Sequence, residues 1–264
     1  MRTIIGALLL LVGLHAPIAS AYPVHSVEVA PEIYYHNYEE PGVMEQEGVM
    51  YGAMAAYEYH NWLFLRAETR GAYGQVDYTS ANTGSLDDIP DWMLETRVLA
   101  GVDINVNDHV ILNPFVGGGY RYLNDDSSKM VTDTGALGYE REANYLYSPV
   151  GVQAIFAAGS PWTARVSAEY DFFWDGTQKS HLSDAHPSLS DVDNDQDDGH
   201  GMRVSAGLQY KGESHIWWAE GFFRFWDIED SDLQPVTFSG TLIGEGFEPA
   251  NETYEFGAAI GIRF

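Results

Sequence analysis

The chain has 264 residues, no cysteine and a formal net charge of −26, from 13 basic and 39 acidic side chains. Without cysteine, neither a disulfide framework nor a thiolate metal centre is available, and the acidic balance excludes nucleic acid as a partner because its phosphates would be repelled. Aromatics at 14% and 27 glycines point to many strands and tight turns.

The chain begins MRTIIGALLLLVGLHAPIASA. Arg2, an apolar run from Ile4 to Leu14 and the small residues Ala19-Ser20-Ala21 have the layout of a cleaved secretory signal peptide. The run is too short for a membrane span. Residues 1–21 are therefore set aside, and the mature chain is expected to start at Tyr22. It keeps 12 basic and 39 acidic residues, a net charge of −27 once Arg2 is lost. No later apolar run is long enough for a transmembrane helix, and residues 22–264 are read as one domain.

Ten strands are expected, at 25–39, 47–59, 62–79, 92–106, 109–124, 144–157, 162–175, 200–211, 215–229 and 252–264. Period-two alternation carries the reading. Near the start, Glu28 and Glu32 oppose Val27, Val29 and Ile33. In the third segment Arg66, Glu68 and Arg70 oppose Leu63, Leu65 and Ala67; in the fourth, Glu95 and Arg97 oppose Leu94 and Val98. Arg165 and Glu169, then Arg203, then Glu220 and Arg224 repeat the arrangement. In the last segment Glu255 and Arg263 oppose Phe256, Ile260 and Phe264. The segments 47–59, 110–124 and 144–157 alternate less cleanly. The run VGGGY at 116–120 lies inside a strand, where glycine relieves crowding.

A soluble sandwich and a membrane barrel share this alternation but invert its meaning. The charged face is wet in the first and lines a lumen in the second. Aromatics at the ends of the apolar faces (Trp62, Tyr73, Trp92, Tyr122, Trp162 and Phe172) favour membrane girdles. Arg and Glu recur together on the polar faces, and the chain has only three lysines, so these faces suit a narrow lumen. The fold class is therefore all-β, an antiparallel transmembrane β-barrel of about ten strands. The connections near 40–46, 80–91, 125–143, 176–199 and 230–251 are read as long outer loops, alternating with short turns. Both termini then lie in the periplasm. Ten strands enclose little space, so Arg66, Glu68, Arg70, Glu95, Arg97, Arg165, Glu169, Arg203, Glu220, Arg224 and Arg263 are expected to form a charge network that fills the lumen.

The terminal stretch YEFGAAIGIRF, ending on Phe264, resembles the C-terminal signal of bacterial outer-membrane proteins. That resemblance implies recognition by the barrel-assembly machinery and closure of the last strand against the first. It also implies a bacterial outer-membrane location, with membrane lipid and lipopolysaccharide around a monomer. The ten-strand layout also resembles the omptins, outer-membrane aspartyl-type proteases. These keep an Asp pair before a Trp in the second outer loop and an Asp-x-His pair in the fourth. Here LDDIPDWM supplies Asp91 and Trp92, while Ile89 stands where the first Asp belongs and Asp88 lies one step off. The fourth loop offers Asp184 with His186, or Asp198 with His200. The resemblance implies a His-activated water oriented by these carboxylates.

Asp191, Asp193, Asp195 and Asp197 alternate like calcium ligands, so Ca²⁺ is a candidate in the acidic loop 191–198. Gln196 and Met202 stand where an EF-hand requires Gly and Glu, which rejects that motif. The sequence reading favours a structural or surface-interaction barrel over an enzyme, with an omptin-like protease or a small-solute channel as alternatives.

One prediction follows from the terminus. Deleting Phe264 should reduce outer-membrane assembly far more than Phe256→Leu, measured as the heat-resistant folded band in membrane fractions. Equal assembly of both variants would remove any special role for the last residue.

Overall fold

The computed structural model describes residues 23–157 and 161–264. The signal peptide expected at 1–21 lies outside the described residues. Those residues form β1 (His25–Glu40), β2 (Met44–His60), β3 (Leu63–Ser80), β4 (Gly84–Val102), β5 (Ile104–Asn107), β6 (Val110–Asp126), β7 (Glu140–Ala157) and β8 (Trp162–Ser180). A single helical turn α1 (Leu182–Ala185) follows, then β9 (Val192–Gln196), β10 (Gly199–Lys211), β11 (Ile216–Ile228), β12 (Gln234–Phe238), β13 (Thr241–Gly246) and β14 (Asn251–Arg263).

Ten of these strands close an antiparallel barrel: β1 to β4, β6 to β8, β10, β11 and β14. Closure is made by β14 on β1, with Ile262 opposite Val29. The short β5 continues β4 along the edge of β6. Beyond the start of β10, β9 takes over the edge of β8, and β12 and β13 form a separate hairpin.

The register fixes the barrel's dimensions. A sideways path from His25 through Tyr59, Leu65, Ala100, Val116, Val150, Tyr170, Met202, Phe225 and Tyr254 returns to the first strand at Asn37, 12 residues further on. For ten strands that stagger gives a tilt of about 40° and a backbone radius of about 10 Å. Such a cylinder holds side chains and little else. The alternation supplies them, with Glu28, Glu32, Arg66, Glu68 and Arg70 inside and Val27, Val29, Ile33 and Leu65 outside. Trp62, Trp162, Trp217 and Phe264 ring the short-turn end, and Tyr73, Trp92, Phe172 and Trp174 lie on the outer wall toward the other. Glycine is needed where lumen rings lie flat on the wall. A Cβ at Gly119 would stand 2.2 Å from the Tyr147 ring, and one at Gly261 would stand 2.4 Å from Trp218.

Two expected outer loops are corrected. Residues 40–46 and 80–91 are mostly strand, and the turns are only residues 41–43 and 81–83. Asp, Pro and Gly make 80–91 look like a loop, yet it pairs with β3, Leu86 opposite Tyr78 and Ile89 opposite Val76. A bulge between Val76 and Tyr78 absorbs the extra residues, and Asp88 takes φ 60° there. Ile89 and Asp91 are consequently buried inside. The three remaining long connections are tied to the barrel wall and to one another. Asp133 N–H donates to Ser85 O (3.1 Å), and Glu140 N–H donates to the Asp184 carboxylate (3.2 Å). Ser190 N–H donates to Thr237 O (3.0 Å).

On intact cells, tags placed within 127–139, 181–198 or 229–250 are expected to label from outside, and tags at Asn61 or Glu213 to stay silent. Equal labelling of both groups would overturn the orientation.

Candidate functional site

The chain has nine arginines beyond Arg2, and all nine turn toward the lumen or its mouth and pair with a carboxylate. Arginine suits this position because its planar fork satisfies several acceptors at once and stays charged when buried. At the short-turn end Glu28 accepts from Arg66 (3.0 Å), Arg165 (3.3 Å) and Arg263 (2.6 Å), while Arg66 and Arg263 also reach Glu58. Midway, Arg97 bridges Glu68 (2.9 Å) and Glu169 (2.6 Å), and Arg203 bridges Asp171 (2.8 Å) and Glu95 (2.8 Å). Arg70 lies 3.1 Å from Glu68, and Arg165 lies 3.9 Å from Glu220. On the opposite wall Glu255 joins Arg121 (2.6 Å) to Arg224 (3.1 Å), and Arg224 reaches Glu32 (3.2 Å).

All eleven residues expected in the network thus point inward and pair. Sequence reasoning left Glu28, Glu32, Glu58, Arg121, Asp171 and Glu255 out of the network. Glu58 and Arg121 fall in two of the three segments whose alternation is less clean. Aromatic rings pack between the ion pairs. Arg203 lies 5.4 Å from the Tyr147 ring and 5.8 Å from Trp226, and Arg165 lies 5.7 Å from Trp218. A cavity of about 70 Å³ remains among Arg66, Arg97, Arg165 and Glu169, room for only a few water molecules.

Above this lattice the lumen widens into a cup of about 350 Å³. Its wall combines Leu86, Ile89, Leu137, Tyr139, Val236 and Phe247 with Glu40, Gln46, Asp125, Arg141 and Glu248. Arg141 donates to Glu40 (2.6 Å), to Glu248 and to Tyr38 Oη (3.2 Å). Burial pushes the Glu248 carboxyl above its usual range; Arg141 opposes the shift and Glu40 adds to it. A smaller cavity of about 40 Å³ continues downward to His36 and Asp91, sharing Gln46, Asp125 and Arg141 with the cup.

The structure does not gather the expected catalytic residues. Asp91 is buried inside the wall, whereas Asp88 is exposed on the bulge. Asp184 and His186 are exposed on the outer connections, where His186 packs 4.9 Å from the Phe238 ring and accepts from Ser188 N–H (3.1 Å). His200 stacks on Tyr170 at 5.6 Å, on the outer face of β10, and Asp198 caps Gly199 N–H (2.8 Å). Among the described residues no hydrogen bond or ion pair joins Asp88 or Asp91 to either Asp-x-His pair. Strand alternation places Asp193 and Asp195 on the exposed face of β9, with Asp191 and Asp197 at its ends. Same-face residues on a strand stand about 7 Å apart and point in parallel, so this donor set does not fit a calcium ion. Among the described residues no three metal-ligating side chains converge. Asp191 is engaged locally instead. Burial opposes its charge, but Ser183 and His181 outweigh it and hold the carboxyl below its usual range.

A closed ten-stranded antiparallel cylinder with an apolar exterior and an ionic lumen is an outer-membrane β-barrel. Residues 40–219 match the family described as the autotransporter beta-domain, and the chain belongs to that family. The chain is similar to the outer membrane protease OmpT from Escherichia coli, with TM-score 0.65 and 8% identity over 91% of this chain and 96% of that one. At that identity the likeness shows the fold alone. The translocator domain of the autotransporter NalP from Neisseria meningitidis matches with TM-score 0.48 and 11% identity, over 92% of this chain and 88% of that one. No curated protein matches the sequence. The family places the protein in the bacterial outer membrane.

Proposed function

We propose that the protein is a closed barrel that does not conduct and that acts at its extracellular end. The observation that carries this reading is the ionic lattice. Pairs such as Arg203–Glu95, Arg121–Glu255 and Arg165–Glu28 link strands that are not neighbours around the barrel, so the lattice crosses the lumen rather than lining it. A hydrated pore or a threaded chain needs an open section that ten strands of this stagger do not leave once arginine and tryptophan fill it. The signal peptide would be cleaved on export and the barrel-assembly machinery would read Phe264. The finished monomer would sit in outer-membrane lipid and lipopolysaccharide, with no affinity for nucleic acid.

What remains available for work is the ordered rim and the cup. An omptin-like hydrolase draws no support from the site. Asp91 faces the lumen, whereas Asp184, His186, Asp198 and His200 lie on outer surfaces. The reading is therefore a surface-interaction barrel rather than an enzyme.

Reconstituted into planar bilayers, the protein is expected to give no stepwise conductance. Replacing Glu95, Arg97, Glu169 and Arg203 together by alanine should open measurable current. Steady single-channel steps from the unmodified protein would contradict the closed-lumen reading.

A further inference from the structure

We propose that the cup binds an organic ammonium ion carrying an apolar body, with Asp125 and Asp91 holding the charge. Asp91 on β4 and Asp125 on β6 are direct cross-strand partners. Facing residues on neighbouring strands have Cβ atoms about 5 Å apart, so one ammonium group can span both carboxylates.

Both side chains are more than nine-tenths buried, at 7% and 9% exposure. Asp125 Oδ2 accepts from Gln46 Nε2. Among the described residues, Oδ1 of Asp125 and Oδ1 of Asp91 have no hydrogen-bond partner. A buried carboxylate without a donor is costly, and neighbouring cations do not supply one. Arg141 is held by Glu40 and Glu248. Arg121 is held by Glu255, and His36 lies 3.5 Å from the same carboxylate. The lower lattice sets eight arginines against nine carboxylates, whereas in the cup's lining Arg141 alone faces Glu40, Asp125 and Glu248.

Asp125 lines both the cup and the smaller cavity beneath it. A ligand in the cup therefore meets Asp125 in a wall shared with Leu86, Ile89, Tyr139 and Phe247, with Asp91 in the smaller cavity beneath. The cup's volume of about 350 Å³ lies in the range of small-molecule sites. Charge selects the sign of the ligand, since Glu40, Asp91, Asp125 and Glu248 would repel an anion. The apolar wall selects against a bare metal ion, which needs several converging oxygen ligands. An ammonium group on an aromatic or alkyl body satisfies both features.

The proposal rests on the closed-barrel reading above, in which the mouth is a binding surface. The test uses the full barrel in lipid nanodiscs, titrated calorimetrically with phenethylammonium, phenethyl alcohol and phenylpropionate, with empty nanodiscs subtracted. Phenethylammonium is expected to bind at least about tenfold more tightly than the alcohol or the carboxylate. Asp125→Asn and Asp91→Asn are each expected to lose about tenfold in ammonium affinity, with the heat-resistant folded band unchanged. Phe247, half-exposed on the loop before β14, supplies a variant of the cup that leaves the barrel strands unchanged. Phe247→Ala should weaken the ammonium and the alcohol alike. Equal affinity for ammonium and alcohol, or full affinity in Asp125→Asn, would overturn the proposal. Should the Asn variants fail to assemble, unchanged ammonium affinity in Phe247→Ala would overturn it. A barrel silent in bilayers that binds no ammonium defeats this proposal alone, whereas an open channel defeats the reading beneath it.

Discussion

Glu28 lies on the first barrel strand and Arg263 on the last, and their ion pair crosses the seam where the cylinder closes. The Glu28 carboxylate is fully buried and also accepts from Arg66 and Arg165, so one residue ties β1 to β3, β8 and β14. A carboxylate in that position is tolerable only because its neighbours supply charge-assisted hydrogen bonds. Removing one partner of a buried pair costs on the order of 3–5 kcal/mol, since it leaves the other charge uncompensated. The backbone seam and the ionic seam therefore reinforce each other. The terminal Phe264 completes the same edge, donating from its N–H to Val27 O (2.9 Å).

The same constraint explains how the chain distributes its basic residues. Its arginines past the signal point inward, while Lys129 and Lys211 are exposed outside the lumen. Lysine offers one point charge and is easily neutralised when buried, whereas arginine stays charged and reaches two carboxylates at once. A lumen of about 10 Å backbone radius is thus largely occupied by paired charges and aromatic rings. On the proposed reading stability and closure have one cause, and function lies at the mouth. There the lattice ends, and carboxylates outnumber their partners.

The alternation that places Arg66, Glu68 and Arg70 together made the barrel legible in the sequence, because period two needs no tertiary information. It also sets Glu255 and Arg263 against Phe256 and Ile260, so the two faces of the closing strand could be read directly. The site was less legible. Asp91 reads as a loop residue because 80–91 is rich in Asp, Asn, Ser, Pro and Gly, and only pairing across the bulge at Val76 reveals it as a wall residue. Asp125 and Arg121 lie just beyond the glycines at 117–119, where small residues blur the alternation. The meeting of Asp91 and Asp125 with His36 depends on the 12-residue stagger around the cylinder, a property of closure rather than of any local segment. The Asp-x-His spacings at 184–186 and 198–200 were visible but misleading, since short spacings recur readily in acidic loops and say nothing about which way they face.

A double-mutant cycle at the seam tests most directly whether this lattice holds the barrel together. Urea unfolding of the detergent-solubilised barrel would be measured for Glu28→Ala, Arg263→Ala and the double variant. The account predicts that each single change is strongly destabilising and that the double variant loses less than the sum of the two single losses. The coupling should be on the order of 1–3 kcal/mol, as for residues sharing one network. Additive losses, or single changes with no effect on unfolding, would contradict it.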